Sequence, residues 1–421
     1  MKPYPRYKDS GVEWIGEVPE GWEVKKLKFF SKVIMGQSPN SADCNQNGTG
    51  MPFLQGNAEF SHKYPNAKNW CADPPKLTKK DDVLISVRAP IGALNIADQV
   101  YGIGRGLSAV RASNPIYLFY MLSTAKEKLL SLGTGSTFTA ISSEQLGNML
   151  LPEASSEEQT AIATFLDRKT AEIDKLIANK ERLIKLYEEK KQAVINQAVT
   201  KGLDPDAEMR ESGVEWLGEV PAHWEVKRIN SLFSESNAKP SNEAELNYPF
   251  LTISIHNGIS DRELKENELD RKVTRSEDRS LYKIVQKNYL AYNMMRAWQG
   301  GFGASKLSGL VSPAYVICKP RTSIDSYFFE LVLRTPNAIA EMRRFSRGIV
   351  DFRLRLYWDD FKNISVPVPP DEEIKEILDH IQTINSTFSR LSSLAMRKIN
   401  LFKEYRTALI SEAVTGKIQI K

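Results

Sequence analysis

Two stretches of the chain carry apolar side chains at helical spacing. In the later one, positions 377, 381, 384, 388, 391, 395, 398, 402, 405 and 409 follow a strict 4-3 alternation, and nine of the ten are apolar or aromatic, Lys398 being the exception. The matching positions of the earlier stretch, 162, 166, 169, 173, 176, 180, 183, 187, 190 and 194, hold seven such residues. A seam repeating every 3.5 residues over more than four heptads predicts long helices in a coiled coil, with a rod of about 48 Å. Glu157-Glu158 and Glu372-Glu373 put negative charge at the predicted helix starts, where the dipole favours it, and Pro152 and Pro367, Pro369, Pro370 stop the helices extending backwards. Each stripe is too apolar to face water alone, so each helix has the other as its obvious partner. Antiparallel pairing would relate the two by a pseudo-twofold axis, and would bring residues 414–421 close to residues 1–14.

Outside these stretches the period changes. DDVLISVRAP (81–90), KNYLAYNMMRA (287–297) and LVSPAYVICKP (310–320) read as half-buried strands. Helical patches follow at 117–131 and 327–345, and then Gly-containing loops at 133–139 and 346–352. The fold class expected is α+β: two globular domains separated by two long helices in an antiparallel coiled coil, with an internal pseudo-twofold repeat.

The repeat is explicit. Residues 9–25 match 211–227 at 13 of 17 positions with an offset of 202, and 150–159 match 365–374 at an offset of 215 that runs without a gap to 197–202 against 412–417. Between these shared ends the copies have almost nothing in common. A chain of 421 residues therefore divides into two units, each large enough for its own core. Net charge is +5, and its distribution matters more than its sum. Segments 28–150 (12 Lys/Arg against 8 Asp/Glu) and 230–365 (20 against 16) each carry +4, whereas 157–199 and 372–412 balance to zero. Excess positive charge sits on the variable segments, compatible with a polyanion partner. Three cysteines, far apart and without a CxxC pair, argue against a disulfide framework or thiolate metal site and fit a reducing compartment. No signal-type or membrane-spanning apolar run is visible, so a cytoplasmic protein is expected.

The matched ends also carry a family resemblance. SGVEWIGEVPEGWEVKKL, the Pro-rich approach to Glu-Glu-Gln, and a long helix closing in AVTG resemble specificity subunits of type I restriction–modification systems, and the pattern occurs twice over essentially the whole chain. The resemblance implies a non-catalytic subunit with two target recognition domains, each reading half of a split, asymmetric sequence in double-stranded DNA. It also implies conserved helices that space the domains and dock two methyltransferase subunits, with restriction subunits joining outside them. The expected domains are 1–150 (first recognition domain), 151–200 (first spacer helix), 201–365 (linker and second recognition domain) and 366–421 (second spacer helix and tail). The second copy departs from the first, with Glu372-Glu373-Ile374 where the first has Glu157-Glu158-Gln159, and with the extra Pro369-Pro370.

The motifs that could carry catalytic chemistry are incomplete. Asp73-Pro74-Pro75-Lys76 looks like the D/N-P-P-aromatic loop of amino-methyltransferases, but its fourth residue is Lys and no methyl-donor glycine motif precedes it; Gly102-Ile103-Gly104-Arg105-Gly106 does not fit GxGxxG. Pro205-Asp206 and Pro370-Asp371 stand alone, and His62, His223, His256 and His380 never pair at metal-ligand spacing. No cofactor is expected in this chain. Trp14, Trp22, Trp216 and Trp224 belong to the shared frame and read as packing residues, since a common element cannot read two sequences. DNA contacts should come from loops of the variable segments: Arg343, Arg344, Arg347, Arg353 and Arg355; the hydroxyl-rich Thr134, Ser136 and Thr137; Arg88 with Arg105; and Asn293 with Arg296. The bland alternative for each is a solvated face. Two other functions stay open: a self-contained fused methyltransferase or nuclease, and a coiled-coil scaffold without DNA binding.

Overall fold

The computed structural model describes residues 2–133, 140–264, 276–348 and 354–420. Its contacts divide the chain into one unit of Met1–Arg182 with Ala395–Lys421 and another of Leu183–Leu394. Within each unit the matched sequence ends find each other. Strand Glu23–Lys26 pairs antiparallel with Leu150–Glu153, and Glu225–Arg228 pairs the same way with Ser365–Val368. A short ladder precedes each: Tyr7–Asp9 on Glu17–Pro19, and Met209–Glu211 on Glu219–Pro221. The motifs that looked like separate landmarks are thus two edges of one frame.

Trp22 and Trp224 lie at the centre of these frames and are fully buried, and Trp216 is buried beside the latter. A tryptophan buries ~200 Å², worth about 5 kcal/mol at 25 cal/mol per Å². The packing role expected for them follows from this position.

The variable segments share no sequence yet build the same sheet. In the first unit, strands Ser31–Met35, Leu107–Ala112, Val83–Ser86 and Leu94–Ile96 lie side by side in that order, all antiparallel. In the second, Phe233–Ser236, Tyr315–Pro320, Leu290–Asn293 and Phe302–Ala304 repeat the order and the directions. Two helices follow the sheet in each case, Pro115–Thr124 and Lys126–Leu132 in one, Ser326–Leu333 and Pro336–Phe345 in the other. Asn114, Asp325 and Thr335 cap three of these with side-chain oxygens. The stretch 310–320, expected as one strand, is two: Gly309–Val311 pairs with Lys283–Val285, and the chain turns before Tyr315–Pro320.

The long helices span Ser156–Lys201 and Asp371–Val414. Ser155 and Glu158 open the first reciprocally: the Glu158 carboxylate accepts from the Ser155 N–H, and the Ser155 hydroxyl accepts from the Glu158 N–H, both at 3.3 Å. Gly202 (φ +77°) and Gly416 (φ +73°) leave the helices through the left-handed region that glycine tolerates. Gly416 has a second constraint, since a Cβ there would come within 2.4 Å of Pro19. The buried stripe departs from the strict heptad. In the second helix it steps from Ala395 to Ile399 and Phe402, so the seam residue is Ile399 (1% exposed), next to the expected Lys398, while the expected Tyr405 is 52% exposed. In the first, Leu176 is 43% exposed and Ile177 packs inward instead. A straight α-helix repeats every 3.6 residues, so a 3.5-residue stripe drifts off the contact face and the neighbouring residue takes over.

Within the first unit, Ile162, Leu166 and Ile173 share a core with Leu409, Ile410 and Ala413, and Arg406 pairs with Asp174 at 3.3 Å. Within the second, Ile195 and Val199 share a core with Ile374, Ile377 and Ile381, and the Tyr187 ring meets Phe388 edge-on at 6.0 Å. In both, the start of one helix lies against the end of the other. The expected closure of the tail is present: the Gln419 N–H donates to the Lys2 carbonyl at 2.8 Å, and the Tyr7 hydroxyl donates to the Lys417 carbonyl at 3.2 Å. No described helix is long and apolar enough to cross a membrane.

Candidate nucleic-acid interface

Two turns at equivalent corners of the two sheets each carry an exposed arginine. In the second unit the turn runs from Asn293 to Phe302. Asn293 is 4% exposed, and its side-chain oxygen accepts the Met295 N–H at 3.0 Å, so this residue shapes the turn from inside. Arg296 stands exposed, donating to the Gln299 carbonyl oxygen Oε1 at 2.7 Å. Gly300 (φ +87°) then reverses the chain. In the first unit the turn from Ser86 to Leu94 carries an exposed Arg88 and exits at Gly92 (φ +84°). Arg88-Ala89 and Arg296-Ala297 are the same dipeptide, each four residues before the left-handed glycine.

The arginine cluster comes to the second turn. Helix Pro336–Phe345 packs on it with the Arg343 guanidinium 5.6 Å above the Trp298 ring, a cation–π distance. Arg347 and Arg355 exchange backbone hydrogen bonds at 2.9 and 3.0 Å, and the Leu356 N–H donates to the Met294 carbonyl at 2.9 Å, which ties the strip to the turn. Arg343, Arg344, Arg347 and Arg355 are all exposed. Arg344 and Arg347 are engaged by carboxylates, one an i,i+3 neighbour on the helix and the other brought in by the return of the chain. Arg344 donates to both oxygens of Glu341 (2.8 and 2.6 Å), and Arg347 donates to Asp360 at 2.5 Å. Each hydrogen-bonded carboxylate raises the pKa of its guanidinium. The run of five arginines in the sequence therefore overstates the local positive field. Arg353 lies outside the described residues.

The first unit has a parallel arrangement. The Ile141 N–H donates to the Val87 carbonyl and the Val87 N–H to the Gly106 carbonyl, both at 2.9 Å, so the exposed Arg88 and Arg105 flank one junction. The Gly102–Gly106 run is explained by packing, since a Cβ at Gly104 or Gly106 would fall within 2.8 Å of Gln55. Thr134, Ser136 and Thr137 lie outside the described residues, between Gly133 and Ala140; Ala140 bridges Arg88.

Sequence reasoning missed Trp298, Gln299, Glu341 and Asp360. Trp298 had one usable signal, an aromatic between Arg296 and a Gly-Gly pair in a strand-to-strand turn. Glu341 had one too, standing three residues before Arg344 in a helical patch, whereas Asp360 had none, because it meets Arg347 only through the return of the chain. Among the described residues, no group of three or more His, Cys, Asp or Glu side chains could hold a metal ion.

Residues 19–186 match the family described as the type I restriction modification DNA specificity domain. The MjaIX type I restriction enzyme specificity subunit of Methanocaldococcus jannaschii is 24% identical over 97% of this chain and 96% of its own length. A second protein of that organism, assigned as the MjaX specificity subunit, is 42% identical over 44% of either chain, so the chain spans about half the length of that relative. Two solved structures share the fold. One is a chain from a type I R-M system (TM-score 0.65, 15% identity, 95% of this chain and 99% of that one), and the other is the HsdS subunit from Thermoanaerobacter tengcongensis (TM-score 0.55, 16% identity, 95% and 98%). The first copy thus carries the type I restriction modification DNA specificity domain, and the second copy rebuilds the same frame and sheet order.

Proposed function

We propose that this chain recognises a bipartite, asymmetric double-stranded DNA target without catalysing any reaction itself, one half-site for each unit. The observation that carries this reading is that two unrelated sequences build the same four-stranded sheet and present an arginine-bearing turn at its equivalent corner. One scaffold with different surface residues is what two different half-sites require. The proposed readers are Arg88 and Arg105 with the loop at Thr134, Ser136 and Thr137 on one side. On the other they are Arg296, Arg343, Arg344, Arg347, Arg353 and Arg355, with Asn293 shaping their turn. Phosphate contacts by these arginines would dominate affinity and make it fall steeply with salt, while guanidinium forks and the Trp298 neighbourhood would select bases.

The long helices would run on as one antiparallel coiled coil, spacing the recognition domains (1–150 and 201–365) and docking two methyltransferase subunits, with restriction subunits outside them. Support comes from the head-to-tail packing of the helix ends within each unit and from the family. Methyl transfer and cleavage would belong to those partners, with the complex acting in the cytoplasm. The test is to exchange residues 28–150 for the corresponding segment of another member and map methylated positions in host DNA by single-molecule sequencing. One half of the split motif should change and the other stay; a change in both halves would refute modular reading.

A further inference from the structure

Cys44 and Cys71, remote in sequence, are direct cross-strand partners. The sheet concerned orders Gly102–Ile103, Met51–Leu54, Asn69–Cys71 and Cys44–Asn45, and its register sets Cys44 opposite Cys71. The flanking residues identify the kind of pair. The Ala72 N–H donates to the Asp43 carbonyl at 3.0 Å, outside the two cysteines. That pattern belongs to a non-hydrogen-bonded antiparallel pair, whose Cα atoms lie about 4.5 Å apart with side chains leaning together on one face. Disulfides accept Cα separations of roughly 4.4–6.8 Å. Cys44 is half-buried and Cys71 is buried, so one thiol is within reach of a small reagent and the other waits behind it.

We propose that Cys44 and Cys71 form a two-thiol modification site, closed to a cross-strand disulfide by a low-molecular-weight disulfide. The Cys44 thiolate attacks one sulfur of the reagent, forming a mixed disulfide and releasing one reagent thiol. The Cys71 thiolate then attacks the Cys44 sulfur, expelling the second reagent thiol. Two protein thiols are oxidised, one reagent disulfide is reduced, and the two protons leave with the released thiols. Burial, and then the adjacent Cys71 thiol, push the Cys44 thiol up, so exchange should be slow near neutrality and quicken as pH rises. The product would clamp the edge strand to a sheet whose far strand leads into the Arg105 turn. Cys318, buried and set opposite Leu290 and Glu235, serves as an internal control.

This inference stands apart from the DNA-reading proposal, and its test needs no DNA. The full chain is incubated with glutathione disulfide at about pH 8.5, near the pKa of a free thiol, then denatured for thiol titration and non-reducing peptide mapping. The free thiols should fall from three to one, with a dithiothreitol-sensitive link between the peptides holding Cys44 and Cys71. In Cys318→Ser they should fall from two to none, and Cys71→Ser should stop at a glutathione adduct on Cys44. Should Cys71→Ser fail to fold, Cys44→Ser, altering the less buried partner, should keep both remaining thiols. Three thiols surviving in the wild-type chain, or a stable adduct on wild-type Cys44, would overturn the proposal.

Discussion

Glu158 and Glu373 occupy the same place in the two copies and do the same kind of work with different partners. Each sits in the first turn of a long helix. Glu158 accepts the Tyr4 hydroxyl at 2.9 Å, whereas Glu373 accepts the Trp224 indole N–H at 2.9 Å and meets His223 Nε2 at 2.8 Å. The carboxylate therefore fastens the helix start to the segment that opens its unit in both copies. Glu373→Ala would strand a buried indole N–H, so a loss of about 1–3 kcal/mol is expected in denaturant unfolding. The basic turns make a second residue-level prediction. Arg88→Ala and Arg296→Ala should each weaken binding of cognate DNA by about 1–3 kcal/mol with relaxed selectivity in one half-site. Equilibrium titrations against targets altered in one half at a time, at fixed salt, check this. Equal losses on every sequence would make these residues phosphate contacts only.

The helix seam is decided by packing, since a residue on the contact face is buried only where a neighbour exists to receive it. Ile399→Ala should cost about 2–5 kcal/mol, as for other large-to-small core changes, while Lys398→Ala at the strict heptad position should be nearly neutral; urea unfolding of both separates the registers. Tyr120 and Lys63 supply further ties, bonding Asp167 on the first helix at 2.7 and 2.8 Å. The spacer proposal belongs at this scale too. Four residues inserted after Arg182 and four more after Leu394 would lengthen both helices by about 6 Å while leaving each unit's own helix contacts intact. The gap in the methylated motif should widen by about two base pairs, given 3.4 Å per step. An unchanged gap would remove the helices as a ruler.

At the scale of the molecule, each unit is assembled from distant pieces of chain, and this limits what could be read beforehand. The first unit needs residues 395–421 to complete its core, through Leu409, Ile410, Ala413 and Val414. The duplication, the long helices, the α+β character and the return of the tail were legible because they are properties of spacing and repetition, which a linear pattern carries directly. Trp22 and Trp224 could be assigned to packing for the same reason. Four things were decided only in three dimensions. The two variable segments share a sheet order that their sequences do not display, because many side-chain sets satisfy one backbone hydrogen-bonding pattern. The seam moved by one residue because helical geometry does not repeat every seven positions. The arginine cluster acquired Asp360 and lost part of its apparent charge, since neutralisation depends on distance through space. Cys44 and Cys71 became neighbours through strand register. Local periodicity is written in the chain, whereas which groups meet across a sheet or a turn follows from long-range pairing, which no window of sequence contains.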